Sequence, residues 1–279
     1  MSETITHENK NVCLKIEHVS KVFAKVENDQ VTHALQDVST EMHSGEFVSL
    51  VGPSGCGKST ILRLVAGLIT PTLGQLTVNG TEIEGPSPAR GMVFQNPTLF
   101  PWLTVEKNIS FSLDVRGDEN RKAERVQRML EITGLERFKD DYPAQLSGGM
   151  AQRVALVRTL INEPEILLLD EPLGALDEFT RMNMQDEILS VWSQRKQLAL
   201  MVTHSIDEAV YMSTRVLVME ANPGRIIADI KIPDEFPRDR SSAGFVEYRN
   251  EILNRLHFGG QKGSHAEENL ITADERTEK

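Results

Sequence analysis

Apolar positions along this chain follow two rhythms: short unbroken runs, and longer stretches where they recur every three or four residues. The runs read as strands buried on both faces, and the stretches read as helices with one apolar side. Phe47–Val51 is the first clear run, and it passes directly into a glycine-rich turn. Apolar residues at 61, 62, 64, 65 and 68 then lie on one side of a helix over 60–68. A short strand over 76–78 ends at Asn79-Gly80, a hairpin signal, and 91–95 forms another before the proline-punctuated loop PTLFPW. From 105 to 162 the chain is helix-prone, with 120–133 strongly charged and 149–162 amphipathic. Strand signals return at 166–169, 198–203 and 215–219, separated by helices over 178–195 and 205–212. A last helix is expected over 243–256, while the first ten residues and 259–279 are polar and read as loose or disordered ends. This alternation predicts an α/β domain on a parallel sheet, interrupted by a helical insertion.

Composition narrows the classes of function. Of 279 residues, 30 are Lys or Arg and 41 are Asp or Glu, a net charge of −11, so binding to nucleic acid or anionic lipid through a broad basic face is not expected. Hydrophobic residues make up 39%, and the length suffices for a sizeable core. Cys13 and Cys56 are too few for a disulfide framework and point to a reducing compartment. No apolar run approaches the roughly 20 residues of a membrane-spanning helix. The N-terminus lacks a basic-then-apolar signal pattern, so a soluble cytoplasmic chain is expected.

The glycine-rich turn carries the first chemistry. Gly52-Pro53-Ser54-Gly55-Cys56-Gly57-Lys58-Ser59 fits G-x-x-x-x-G-K-[ST] between a predicted strand and a predicted helix, with Thr60 following. Glycines let backbone N–H groups curl around phosphate oxygens, and the helix offers its positive end. Lys58 supplies a charge for the β- and γ-phosphates, and Ser59 a hydroxyl for Mg²⁺. The bland alternative is an accidental glycine-rich turn, which the flanking strand and helix disfavour. Cys56, at a variable position of the pattern, reads as a small space-filler.

Two acids close the run over 166–169. A strand end is where open α/β sheets place ligands, so Asp170 is suited to hold Mg²⁺, directly or through water. Glu171 is suited to polarise an attacking water as general base. Alone, a solvated strand end explains both acids; beside the phosphate loop the catalytic reading prevails. Between these motifs stands Leu146-Ser147-Gly148-Gly149-Met150, a serine N-cap candidate followed by two glycines, each costing about 1 kcal/mol inside a helix. A backbone that must touch something bulky and anionic explains them. Here the chain resembles the nucleotide-binding subunit of ATP-binding cassette (ABC) transporters, whose signature is L-S-G-G-Q or a variant, with Met150 in place of the glutamine.

The resemblance covers about residues 12–235 and implies a P-loop NTPase (RecA-like) core with a parallel sheet, a small antiparallel β subdomain and an inserted helical subdomain carrying the signature. It implies an ABC ATPase domain over 12–240 with its helical insertion at about 97–162, a short C-terminal helix over 241–258, and a tail over 259–279. ATP and Mg²⁺ are the implied cofactors. Gln95, closing the strand GMVFQ, matches the Q-loop glutamine that reaches Mg²⁺ and the attacking water. Asp177 matches the D-loop aspartate that helps align two subunits, with Gly174 where many members have serine. His204 matches the histidine that contacts the γ-phosphate and holds Glu171 and water in line. Phe23 stands where the family places an aromatic stacked on adenine; otherwise it is a core residue, and the VENDQ loop follows it.

In such cassettes two copies meet head to tail, so Ser147, Gly148 and Gly149 serve the partner's ATP. Leu99, Phe100 and Trp102 either pack the insertion or line a groove for a permease. The implied partners are a second copy, an integral-membrane permease and, indirectly, a solute-binding protein, with no nucleic acid. The implied location is peripheral, on the cytoplasmic face of the inner membrane. PARGMVFQNPTLFPWLTVEKNI, the LSGGM variant and VLVMEANPGRI most resemble importers of nitrate, sulfonates and taurine. A soluble cassette acting on ribosomes or DNA is the alternative.

Overall fold

The computed structural model describes residues 12–24, 31–174 and 176–259, with side chains to 256 in the last segment. The loose N-terminal ten residues, the 26–30 loop and the tail beyond 259 lie outside the described residues. Strands β1 (Cys13–Ala24) and β2 (Val31–His43) come first, then β3 (Phe47–Val51), helix α1 (Lys58–Ala66), β4 (Leu73–Val78), β5 (Thr81–Glu82) and β6 (Arg90–Val93). Helices α2 (Val105–Arg116), α3 (Lys122–Ile132) and α4 (Gly148–Leu160) form the insertion. The chain continues through β7 (Ile166–Asp170), α5 (Glu178–Arg195), β8 (Leu198–Val202), α6 (Ile206–Met212), β9 (Arg215–Glu220), β10 (Arg225–Lys231) and α7 (Ala243–Gly259). Gly259 therefore ends α7 and does not begin the tail.

The larger sheet runs β10-β9-β3-β8-β7-β6. All neighbours are parallel except β10, which pairs antiparallel with β9 at one edge. Every residue of β3, β7 and β8 is buried, which is why these strands read as short apolar runs, broken only by Ser49, whose hydroxyl pairs with that of Ser213, and closed at Asp170. Their period of two splits them between two cores. Leu167 and Leu169 pack with α5, α6 and α7, whereas Ile166 and Leu168 pack with α1 and a second, antiparallel sheet ordered β2-β1-β4-β5. The residues before Phe47 thus form an antiparallel layer and not the start of the parallel sheet.

A third apolar cluster joins α2, α3 and α4. Helix α4 is not amphipathic as its sequence suggests. Leu156 and Leu160 enter the cluster beneath the parallel sheet, while Val154 and Val157 enter that of the insertion. Burial on two sides erases the one-sided pattern. Helix starts coincide with the sequence motifs. Ser147 caps α4 by accepting from Met150 N, Asp177 caps α5 from Thr180 N, and Ser205 caps α6 from Glu208 N.

Candidate functional site: a phosphate loop facing paired carboxylates

Strands β3, β8, β7 and β6 are consecutive neighbours, and the chain leaving the C-terminal end of each carries one candidate motif. The phosphate loop follows β3, His204 follows β8, Asp170 and Glu171 close β7, and Gln95 follows β6. The parallel topology brings residues from four distant stretches to one sheet edge, where open α/β sheets bind ligands.

The loop is held open by glycine geometry and by its neighbours. Gly57 has φ +93°, and a Cβ there would lie 2.5 Å from Leu35 Cδ2 and 2.8 Å from the Ala34 carbonyl. Both backbone conformation and space therefore require glycine at this position. Gly224, in the β9–β10 turn, approaches so closely that a Cβ would stand 2.2 Å from the Cys56 carbonyl, and its N–H donates to Ala34 O at 3.2 Å. Gly224 is a supporting residue that sequence reasoning missed, because nothing near it signals contact with a loop so distant along the chain. Cys56 is fully buried between these elements, as a space-filler should be. The buried Lys58 Nζ donates to the carbonyls of Gly52 and Pro53, at 2.8 and 3.0 Å. Its ammonium thus spans the mouth of the loop, where phosphate oxygens can replace those carbonyls. Pro53, Ser54 and Gly55 are exposed at the turn, and Ser59 and Thr60 stand half-buried in the first turn of α1.

Ser59 Oγ donates to Asp170 Oδ1 at 3.0 Å, giving two hard oxygen donors side by side. Burial pushes the Asp170 carboxyl above its ordinary range, and the Ser59 hydrogen bond opposes this only in part. An acid with a raised folded-state pKa costs stability as pH rises from the ordinary carboxylate range through the folded value, and it carries the full cost above. Asp170→Asn is therefore expected to raise the Tm of the nucleotide-free chain by a few degrees at neutral pH, with the gain shrinking as pH falls. Calorimetry with and without Mg²⁺ and ATP checks this, since the variant should lose the added Mg²⁺-dependent stabilisation by nucleotide.

Glu171 adopts φ +45°, an unfavourable conformation for a side chain of its size. Its N–H donates to Val202 O at 3.0 Å and its carbonyl accepts from Gly174 N at 3.3 Å, so both neighbours fix the bend. The bend aims the carboxylate at two other candidates. Gln95 Nε2 donates to Glu171 Oε2 at 2.9 Å, and His204 Nδ1 stands 3.5 Å from the same oxygen. Gln95 lies two residues past the end of β6, so it does not close that strand as its sequence suggests; it is exposed, with its amide tied to Glu171.

Residues 35–174 match the family of ABC transporters. The chain belongs to the ABC transporter family. An uncharacterized ABC transporter ATP-binding protein of Methanocaldococcus jannaschii is 48% identical over 91% of this cassette and 95% of its own length. The aliphatic sulfonates import ATP-binding protein of Bacillus cereus is 42% identical over 88% of the cassette and 97% of its own length. The taurine import ATP-binding protein of Roseobacter denitrificans is 42% identical over 87% and 93%. A dimeric ATP-binding cassette solved in a post-hydrolysis state with ADP and Pi superposes with TM-score 0.69 at 31% identity, covering 80% of this chain and all of that one.

The signature loop of the cassette is built differently from the cluster around Glu171. Ser147 and Gly148 are exposed, and a Cβ on Gly148 would meet no atom within 4 Å. A Cβ on Gly149 would press on Thr180 Cγ2 at 3.2 Å and Leu176 Cδ2 at 3.3 Å. A Cβ on Gly148 would thus stand in open space, whereas one on Gly149 would make Thr180 and Leu176 shift by a few tenths of an ångström. Asp177 spends one carboxylate oxygen on the α5 N-cap, and that hydrogen bond from Thr180 N–H lowers its pKa. Phe23, next to last in β1 and opposite Thr32, is 40% exposed with Lys21 Nζ 5.1 Å from its ring centre, so it is not a core residue.

Side chains from α4 strap it to the loop after β6. Gln152 Nε2 donates to Phe94 O, Thr159 Oγ1 to Met92 O, and Arg158 to the carbonyls of Pro97 and Thr98. Buried Asn108 shapes the rest of that loop, accepting from Phe100 N and donating to the carbonyls of Phe100, Leu103 and Thr104. Leu99 packs into the insertion, and the Phe100 ring lies 4.4 Å from Phe111, whereas Trp102 remains 70% exposed. The loop aromatics therefore divide between packing and exposure. Beside them lies a groove of about 560 Å³, lined in part by Met92, Phe100, Phe111, Val115 and Arg158.

Proposed function

We propose that this chain is the ATP-hydrolysing subunit of an importer that moves a small anion of the sulfonate, taurine or nitrate class through a separate membrane permease. The observation that carries the reading is the convergence of Lys58, Ser59, Asp170, Glu171, Gln95 and His204 on one sheet edge, in a cassette whose relatives are named for sulfonate and taurine import. No helix among the described residues is long and apolar enough to cross a membrane, so the channel belongs to another chain. That permease, and a solute-binding protein on its far side, are partners in this proposal, as is a peripheral site on the cytoplasmic face. The groove beside Trp102 and Val115, both 70% exposed, suits the permease's cytoplasmic segment. The acidic balance of −11 and the import names of the relatives favour this reading over a soluble cassette acting on ribosomes or DNA.

In the reaction, Lys58 exchanges its loop carbonyls for the β- and γ-phosphate oxygens, and the loop N–H groups take the remainder. Ser59 Oγ and Asp170 would hold Mg²⁺, with Gln95 within reach of it, and the ion would supply charge neutralisation to the phosphates. Glu171 accepts the proton of the attacking water, which converts water into a nucleophile aimed at the γ-phosphorus. His204 and Gln95 hold the carboxylate in line, and His204, with a side chain 66% exposed, can also reach the γ-phosphate. Phe23 offers an aromatic face to adenine. Across the dimer, the partner's Ser147-Gly148-Gly149 turn aims the N-terminus of its α4 at the γ-phosphate, while Asp177 lines the junction. ADP and phosphate leave as the two copies separate.

The test is reconstitution. The chain, purified with its membrane partner in liposomes, should hydrolyse ATP several-fold faster when the cognate solute-binding protein carries an alkylsulfonate, taurine or nitrate. Failure to copurify with any integral-membrane chain would overturn the importer reading while leaving the ATPase intact.

A further inference from the structure

Away from the nucleotide edge, a second cluster of chemically distinctive side chains sits on the outer face of the antiparallel sheet. Cys13 opens β1 and is paired across the ladder with His43, the last residue of β2; Lys15 is paired with Glu41. Leu14 and Met42, between them, are fully buried, so the period of two turns Cys13, Glu41 and His43 to the opposite, solvent-facing side. There they converge on one oxygen. Cys13 Sγ lies 3.3 Å from Glu41 Oε1, and His43 Nε2 lies 3.2 Å from that same atom. The thiol sulfur, the imidazole nitrogen and the carboxylate oxygen all lie within 4.8 Å of one another.

We propose that Cys13, Glu41 and His43 form a binding site for a borderline-soft divalent transition metal, Zn²⁺ foremost. Zinc takes thiolate at about 2.3 Å and imidazole or carboxylate at about 2.0–2.2 Å, which in a tetrahedron separates the ligand atoms by about 3.3–3.6 Å. The two spacings to Glu41 Oε1, 3.3 and 3.2 Å, lie near that range, and the sulfur and imidazole nitrogen, within 4.8 Å of each other, close around the metal by side-chain rotation on the solvent face. The donor set excludes hard cations as the preferred occupant, because a thiol and an imidazole select zinc-like metals over Mg²⁺. Three protein ligands leave a fourth position for water, and the half-exposed side chains of Glu41 and His43, each 46% accessible, give the metal an entry path.

The backbone under the site is fixed on all sides. Cys13 N donates to Asn79 Oδ1 at 2.8 Å, His43 N donates to Glu46 Oε2 at 2.6 Å, and Glu41 O accepts from Arg215 at 2.7 Å. Lys15 Nζ, 3.4 Å from the other carboxylate oxygen, Oε2, orients Glu41 without occupying Oε1. Binding releases the thiol proton, while the neutral imidazole binds through its Nε2 lone pair and keeps its one ring proton on Nδ1; sulfur–metal, nitrogen–metal and oxygen–metal bonds form with no change in oxidation state. The metal would clip the first residue of β1 to the last of β2.

The experiment titrates the full chain, reduced and in excess Mg²⁺, with Co²⁺ and then with Zn²⁺. The expected result is one Co²⁺ per chain with a thiolate-to-metal charge-transfer band that Zn²⁺ bleaches. Cys13→Ser should abolish the band, His43→Gln should weaken affinity at least about tenfold, and Cys56→Ser should keep the band. Zn²⁺ should also raise the Tm of the parent chain but not of Cys13→Ser. No band in the parent, a band surviving in Cys13→Ser, or a band lost only in Cys56→Ser would each overturn the site. Both ligand variants lie on the solvent face, and circular dichroism reports whether they remain folded.

Discussion

Glu171→Gln should lower the steady-state ATPase rate by at least about 100-fold while nucleotide affinity stays close to that of the parent. The amide keeps the size of the side chain and can still take a hydrogen bond from Gln95 or His204. It cannot take a proton from water at neutral pH. Binding depends on Lys58 and the loop N–H groups, which the substitution leaves in place. In the proposed cycle ATP joins the two copies and hydrolysis parts them, so the variant should also accumulate as a nucleotide-bound dimer, visible by size-exclusion chromatography with light scattering. Rapid turnover by the variant would remove Glu171 from the role of base and leave the water to be oriented by Gln95 and His204 alone.

The second large effect concerns the composite site. Ser147→Arg replaces a small exposed N-cap with a bulky cation and a poor cap, and it should cut hydrolysis by a factor on the order of 1,000 while the variant's own P-loop still binds ATP. Lys58→Ala should fail for the opposite reason, by losing nucleotide affinity. Mixing the two inactive variants provides the sharper measurement. A heterodimer joins the intact P-loop of one chain to the intact signature of the other, so activity should return to about a quarter of the parental rate, the statistical share of intact composite sites. If each chain hydrolysed ATP within itself, mixing would restore nothing.

Much of this site could be read directly from the residues, for a physical reason. Strands buried on both faces are mostly apolar, so Phe47–Val51, with Ser49 its one polar residue, and the runs ending at Asp170 and Val202 stand out, and the motifs sit at their ends. Strands β1, β2 and β10 were harder to see. Strand β1 departs from strict pairing between Ile16 and Val19 and again near Lys21, so its alternation breaks. Strand β10 lies at a sheet edge with a single fully buried residue, Ile230. The supports of the site were hidden for another reason. Gly224, Leu35 and Asn108 act through contacts made only once the chain is folded, and a glycine in a turn or an asparagine in the first turns of a helix has many ordinary explanations.

The straps from α4 to the loop bearing Gln95 have a mechanical consequence. Gln152 and Arg158 grip that loop at Phe94, Pro97 and Thr98, on both sides of Gln95. Any tilt of the helical layer against the parallel sheet must therefore drag the glutamine with it, loading or releasing its 2.9 Å bond to Glu171. In the proposed mechanism the joint would act as a clutch, in which force applied at the insertion engages or disengages the carboxylate assigned to water activation.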